Sequence, residues 1–228
     1  MADIPITLEY YNGSNWQIIK TGEENDGTYD WAVPSLDINT AKIRITAVDK
    51  AGNTGNDESN NAFTIDSTNP ESAVTIANDY YGPNTWVNNA TINGTASDNL
   101  SGVDSVTITI QNDSNGKYWD GDSWETNATD IPVITSNNYA AWTYTMDDAN
   151  LTDGVTYTIT PTAVDNAGNS VIGTSDSFTY DSSAPDAPIV STPSSAVVIN
   201  ADTYTITGTA EANSLVQIYK KDSSVVKS

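Results

Sequence analysis

Apolar and polar residues alternate one for one through short runs of this chain, and the runs end in Gly, Asn, Asp, Ser or Pro. Period-two alternation is the pattern of a strand with one face in a core and the other in water. It predicts strands at residues 72–76, 90–96, 105–110, 141–146, 155–164 and 177–180. Residues 118–124 read as a hairpin whose Asp120-Gly121 suits a tight primed turn. No stretch sustains the 3.6-residue period of a helix, so the chain reads as all-β.

The runs recur. Ile45-Thr46-Ala47-Val48-Asp49-Lys50-Ala51-Gly52-Asn53 returns as Pro161-Thr162-Ala163-Val164-Asp165-Asn166-Ala167-Gly168-Asn169. Phe63-Thr64-Ile65-Asp66-Ser67-Thr68-Asn69-Pro70 returns as Phe178-Thr179-Tyr180-Asp181-Ser182-Ser183-Ala184-Pro185, and Thr91-Ile92-Asn93-Gly94-Thr95-Ala96 as Thr205-Ile206-Thr207-Gly208-Thr209-Ala210. Three matches at one offset of about 115 residues define a repeat. A period of that size is a whole domain, not a solenoid unit that shares its core with neighbours. On this reading residues 67–181 are one complete module, residues 1–66 the C-terminal part of a preceding module, and residues 182–228 the N-terminal part of a further one.

About seven short strands in about 115 residues is the sequence form of a Greek-key β-sandwich. Tyr157, near the start of a late strand, sits where a tyrosine corner would, with core packing as its first expected role. The motifs Ala-Val-Asp-x-Ala-Gly-Asn (47–53 and 163–169), Phe-Thr-x-Asp-Ser-x-x-Pro (63–70 and 178–185) and Ser97-Asp98-Asn99-Leu100-Ser101-Gly102-Val103 together resemble the bacterial immunoglobulin-like (Ig-like) repeats of large cell-surface adhesins. The resemblance covers nearly all of the chain. It implies tandem Ig-like Greek-key β-sandwich modules, an extracellular or cell-surface location, and a structural stalk whose partners are the neighbouring modules of the same chain.

Composition narrows the chemistry. In 228 residues, Lys+Arg number 8 and Asp+Glu 30, for a formal charge of -22. A nucleic acid is bound by basic groups that neutralise phosphate, and an anionic membrane surface repels a chain of this charge, so neither is an expected partner. With no His and no Cys there is no His-based nucleophile, no thiolate or imidazole zinc site and no disulfide. Residues 1–5 lack the charged and apolar blocks of a signal peptide, and no run approaches the roughly 18 apolar residues of a membrane span. Export would then use a signal outside this chain, and membrane insertion is not expected.

What remains open is hard-cation chemistry through oxygen. In a Greek-key sandwich the loop after the second strand and the loop between the last two strands emerge at the pole where the chain enters. Those segments hold Asp98 and Asp104, and Asp165 and Asn169, and the entering linker begins at Asp66. Carboxylates about 4 Å apart in a surface dielectric near 20 repel by about 4 kcal/mol per pair, so a convergence of this kind calls for a cation. Ca²⁺ accepts six to eight oxygens from irregular loops, whereas Mg²⁺ demands a stricter octahedron. Two readings stand: Asp66, Asp98 and Asp165 as Ca²⁺ ligands with Asp104 and Asn169 as further donors, or Asp side chains that only cap their own turns. Repeat equivalence extends the first reading to Asp181 and Glu211 at the next junction, and places Asp49 at the corresponding pole of the first module.

Other features offer alternatives. Trp16, Trp119 and Trp124 flank polar turns, which suits either a sugar-stacking platform, and so a carbohydrate-binding accessory, or cross-strand aromatic pairing. Asp120 and Asp122 lie in one turn with no cleft implied, and no enzymatic activity is expected. The first module lacks its first two strands and the third stops after residues 215–221. The ends are therefore either a cut from a longer array or halves that complete one another head to tail in an extracellular filament.

Overall fold

The structure, a computed structural model, describes residues 6–86, 91–200, 203–212, 214–219 and 225–227. Residues 1–5, 90, 220 and 221, drawn on above, lie outside them. The chain divides into two compact units, Met1–Asp181 and Ser182–Ser228. As the alternation predicts, its regular structure is almost all strand, with a single 3-10 turn at Asp148–Asn150 among the described residues.

The first unit opens with β1 (Ile6–Tyr11), β2 (Trp16–Glu23), β3 (Ile38–Val48), β4 (Thr54–Glu58) and β5 (Phe63–Ile65). They form one antiparallel sheet in the order β2-β1-β3-β4, with β5 also on β3. Ile6, Leu8 and Tyr10 of β1 stand opposite Ala47, Ile45 and Ile43 of β3 and give the sheet an apolar face. Arg44 sits over the Trp16 ring at 4.2 Å and donates to Glu9 at 2.9 Å.

The central part follows with β6 (Glu71–Thr75), β7 (Tyr80–Tyr81), β8 (Thr91–Ser97), β9 (Val103–Asn112), β10 (Lys117–Trp119), β11 (Trp124–Glu125), β12 (Ile131–Pro132), β13 (Ile134–Ser136), β14 (Ala141–Thr145), β15 (Val155–Asp165), β16 (Ser170–Ile172) and β17 (Asp176–Tyr180). One sheet runs β6-β8-β14-β13. The other is built on β10-β9-β15-β17, with β7, β11, β12 and β16 at its margins. Lettered in chain order, an A-B-E-D sheet faces a C′-C-F-G sheet, which is the Ig-type Greek key.

The alternation that predicted β15 is met along its whole length, where buried residues take every second position from Val155 to Asp165. The inward side chains of both sheets join one core: Ile92, Ala96 and Trp142 from one side, Ile108, Ile110, Tyr157, Ile159 and Phe178 from the other. Each fully buried aliphatic or aromatic side chain contributes about 1.5–3 kcal/mol. Gly94 makes room for the largest of them. A Cβ there would overlap the Trp142 ring and the Ala73 carbonyl, so the indole lies directly on the β8 backbone.

Tyr157 fills both roles open to it. It is fully buried, with ring centroids 5.5 Å from Phe178 and 5.3 Å from Trp124. Its hydroxyl also accepts the Thr152 backbone N–H at 2.7 Å, five residues upstream, which makes a tyrosine corner.

Among its described residues the second unit shows two antiparallel ribbons, β18 (Ile189–Thr192) with β19 (Thr207–Thr209), and β20 (Ile218–Tyr219) with β21 (Val225–Lys227). Its apolar residues, Ile189, Val190 and Ile206 among them, are exposed. No helix of the described residues is long and apolar enough to cross a membrane.

Tyr157→Phe keeps the packing and strands the Thr152 N–H. The expected cost is about 0.5–1.5 kcal/mol, the net worth of one hydrogen bond at a part-buried site. In urea unfolding this appears as a lower midpoint at unchanged m value; an unshifted midpoint would show that the corner contributes nothing.

Candidate metal centre

The segment between β5 and β6 is held from three sides, and each hold is a short polar side chain at the end of a strand. Asp165 closes β15. Its Oδ1 accepts the backbone N–H groups of Ala167 (2.8 Å) and Asn169 (2.9 Å), and its Oδ2 accepts Asn169 Nδ2 at 2.8 Å. These bonds wrap the β15–β16 turn around the carboxylate, and Gly168 supplies the positive φ of +92°. Asp98 follows β8 and organises its loop in the same way, its Oδ2 accepting from the N–H groups of Leu100 (2.9 Å) and Gly102 (2.8 Å).

The loops are then tied to the linker and to each other. Asp66 Oδ2 accepts the Ser101 N–H at 2.9 Å. Asn166 Nδ2 donates to the carbonyls of Ser101 and Gly102, both at 2.9 Å. Asn169 Nδ2 reaches the carbonyls of Asp66 (3.0 Å) and Thr68 (3.3 Å). From the other side Asp37 grips Ser67 and Thr68 of the linker. Its Oδ1 accepts from Ser67 N–H (2.8 Å) and Ser67 Oγ (3.1 Å), and its Oδ2 from Thr68 Oγ1 (2.7 Å).

The result is a group of three carboxylates from three distant segments. Asp66, Asp98 and Asp165 each present an oxygen within 4.8 Å of the others, and Asp165 is only 2% exposed. Ser101, whose N–H bonds Asp66, also has a buried hydroxyl oxygen with no hydrogen-bond partner among the described residues. The three converging donors are all carboxylate oxygens at a strand end and on loops, which fits a hard cation of calcium's flexible coordination. For Asp98, burial works to raise the pKa, but the N–H groups of Leu100, Gly102, Ser101 and Asn99 outweigh it and hold the carboxyl below its ordinary value. In Asp37 the Ser67 N–H, followed by the Thr68 hydroxyl, has the same effect.

The other residues named from the sequence lie elsewhere or act differently. Asn169 stands at the cluster, where its amide nitrogen bridges linker and loop. Asp104 is exposed on β9, outside the group of three. The Asp181 N–H donates to Tyr81 O at 2.7 Å, and Glu211 Oε2 accepts the Asp186 N–H at 2.8 Å within the second unit. Asp49 repeats the bonding of Asp165, accepting from Ala51 N–H, Asn53 N–H and Asn53 Nδ2. The Asn53 amide depresses its pKa.

Two candidate features change character. Trp119 is buried, pairs across the hairpin with Trp124 at 5.5 Å and donates to Tyr144 Oη, while Trp124 donates to Asn150 O and lies on Tyr157. Trp119 belongs to the core and Trp124 packs half-buried against it, which favours cross-strand pairing. Asp120 Oδ1 caps its own turn through the N–H groups of Asp122 (2.8 Å) and Ser123 (2.7 Å). Asp37 was not foreseen. Its one sequence signal is position, immediately before the strand that carries the repeated Ala-Val-Asp motif.

No protein-family model matches the chain, and no curated protein sequence does. Among solved structures it is similar to a tetra-tandem repeat in the extending region of a large adhesion protein, at 18% identity and a TM-score of 0.37, over 84% of this chain and 45% of that one. It is also similar to the fibronectin(III)-like modules of Clostridium thermocellum CbhA, at 16% identity and TM-score 0.33, over 80% of each chain. A third likeness is to a 1.5-MDa bacterial ice-binding adhesin described for host cell surface retention, at 15% identity and TM-score 0.34, over 82% of this chain and 56% of that one. The chain thus spans less than half of the adhesion repeat and little more than half of the ice-binding adhesin structure. At these TM-scores none of the three bears on what the acidic cluster does.

The Asp37 clamp has a definite pH sense. A carboxyl whose folded pKa is depressed stabilises the fold above its unfolded value and loses that contribution as pH falls through the folded one. The Ser67 amide resonance should therefore titrate with a midpoint below 3.8, the ordinary value for Asp. A midpoint at or above it would show the clamp open.

Proposed function

We propose that this chain is a spacer segment of an extracellular surface stalk of the adhesin kind, in which Ca²⁺ at a module junction fixes the angle between successive β-sandwich modules. The observation that carries the proposal is the meeting of Asp66, Asp98 and Asp165 within 4.8 Å at the segment between β5 and β6. One of these residues lies in that segment, and the other two lie at the end of β15 and in the loop after β8 of the following sandwich. A cation held by all three would bind the linker to the module it enters.

The chemistry is electrostatic and structural, with no reacting atom. Oxygens at this spacing repel when all three are charged, and the hydrogen bonds of the loops hold them together against that repulsion. A divalent ion converts the repulsion into a crosslink. Asp37, Asn166 and Asn169 position the donors and the linker, and Pro70 removes one backbone rotation just beyond it. The boundary near residue 66 is the joint that this crosslink would rigidify. The resemblance of the motifs to Ig-like adhesin repeats points the same way, and the strong net negative charge keeps neighbouring stalks soluble and apart.

Calorimetric titration of the chelator-treated chain should show Ca²⁺ binding in preference to Mg²⁺. At about 100-fold excess over Kd, the ion raises unfolding stability by about 2.7 kcal/mol. Asp98→Asn should abolish most of the binding while leaving a folded sandwich by near-ultraviolet circular dichroism. Equal melting curves with Ca²⁺ and with chelator would refute the proposal.

A further inference from the structure

Among the described residues of the central sandwich, strand pairs are antiparallel except where the segment that opens it meets the strand that closes it. β7 lies parallel to β17, with Tyr80 opposite Thr179 and Tyr81 opposite Tyr180, and Ala73 of β6 forms a parallel bridge to Thr174. Residues 72–81 thus run beside residues 174–181 in the same direction. Hydrogen bonds tie the two segments along their length: Thr174 N–H to Ser72 O (2.9 Å), Val74 N–H to Thr174 O (3.0 Å), Ile76 N–H to Asp176 Oδ2 (2.9 Å), Thr179 N–H to Asp79 O (2.8 Å) and Asp181 N–H to Tyr81 O (2.7 Å). The opening segment changes sheets on the way, β6 pairing with β8 in one and β7 lying in the other.

Both ends of this track are closely fitted. A Cβ on Gly173 would overlap the Ser72 carbonyl at one end, and a Cβ on Gly82 would overlap the Asp181 carbonyl at the other, so glycine is what lets the backbones approach. Midway, the Asp176 side chain supplies the acceptor for Ile76, and its other oxygen takes the Ser177 N–H at 2.8 Å. Tyr81 fixes the far end to the core. Its ring stands edge-on to Trp86 at 5.1 Å and to Phe178 at 5.7 Å, and Trp86, itself buried, donates to Met146 O at 3.0 Å.

Direction gives the track a use. The chain enters the sandwich at Pro70, beside the Ser72 end, and leaves it after Asp181, at the opposite end. Tension along the chain therefore pulls the two segments past one another, and every bond between them is loaded at once. Were the segments antiparallel, the same tension would act at one end and open the bonds in turn. We propose that residues 72–81 and 174–181 form a shear clamp, a device that keeps the sandwich folded when the chain is pulled end to end. The role rests on the stalk reading, since a stalk is what puts the chain under tension, whereas the geometry of the clamp needs no cation. The property it sets is the rate of forced unfolding, not the equilibrium stability.

Single-molecule force spectroscopy of the full chain in chelator tests the clamp apart from the metal reading, which the calorimetric titration decides. The chain has no cysteine, so Cys at two exposed positions supplies the handles. Asn69→Cys with Ala184→Cys loads the clamp at opposite ends, and Asn69→Cys with Ile172→Cys loads both segments at the Ser72 end. At one pulling speed the rupture force should be at least about twofold higher in the first geometry, because bonds of similar strength loaded together share the force. Asp176→Ala removes the middle bond and should lower the force in the first geometry only, since the second is limited by the bonds at the Ser72 end. Equal forces in the two geometries, or an Asp176→Ala loss of equal proportion in both, would overturn the inference. The comparison of geometries uses the unaltered clamp and stands whether or not Asp176→Ala folds.

Discussion

Three carboxylates from three distant stretches of chain converge at the segment between β5 and β6, and the charge this concentrates is the constraint around which that segment is held. Unit charges about 4 Å apart repel by about 4 kcal/mol in a dielectric near 20, a large fraction of a domain's net stability. The chain meets that cost locally. Asp165 receives three hydrogen bonds from its own turn and Asp98 receives two from its loop, each charge-assisted and so stronger than a neutral bond. The charges are thereby fixed in place by the protein itself, and on the proposed reading an oxygen cage fixed in advance would lose little entropy on binding an ion.

The sandwich makes that placement possible. β8 and β15 belong to opposite sheets, and the core between them, with Trp142 laid on Gly94 and Tyr157 anchored to Thr152, sets where each strand ends. Asp98 and Asp165 sit at those ends, so packing in the core controls the position of charge at the pole. The linker is stitched to the same pole through Asn169 and to the preceding sheet through Asp37, which makes the joint a network of polar contacts from both sides.

Much of this was legible in the residues. Alternation located the long strands because each has one wet and one dry face, and Greek-key topology then brought Asp66, Asp98 and Asp165 to one pole. Short marginal strands such as β7, β12 and β16 were not visible, since two or three residues carry no period and their pairing is dictated by the strands beside them. Asp37 was missed because its partners, Ser67 and Thr68, lie some thirty residues on and no local pattern links them. The aromatic hairpins read as cross-strand pairing first and as a sugar platform second. For the second hairpin the burial of Trp119 and the bond from Trp124 to Asn150 favour the pairing. The segment around Trp31 is the converse case: it corresponds in place to β14, yet it is not a strand, because β14 is held by β8 and the first sheet contains no such neighbour.

The most direct measurement is a distance distribution across the joint. The chain has no cysteine, so Cys at the exposed positions Ile18 and Ile172 would carry the only two spin labels. The account predicts a narrow distribution by double electron–electron resonance in Ca²⁺ that broadens in chelator, and a broad one in both conditions for Asp98→Asn. A distribution of the same width with and without the ion would contradict it.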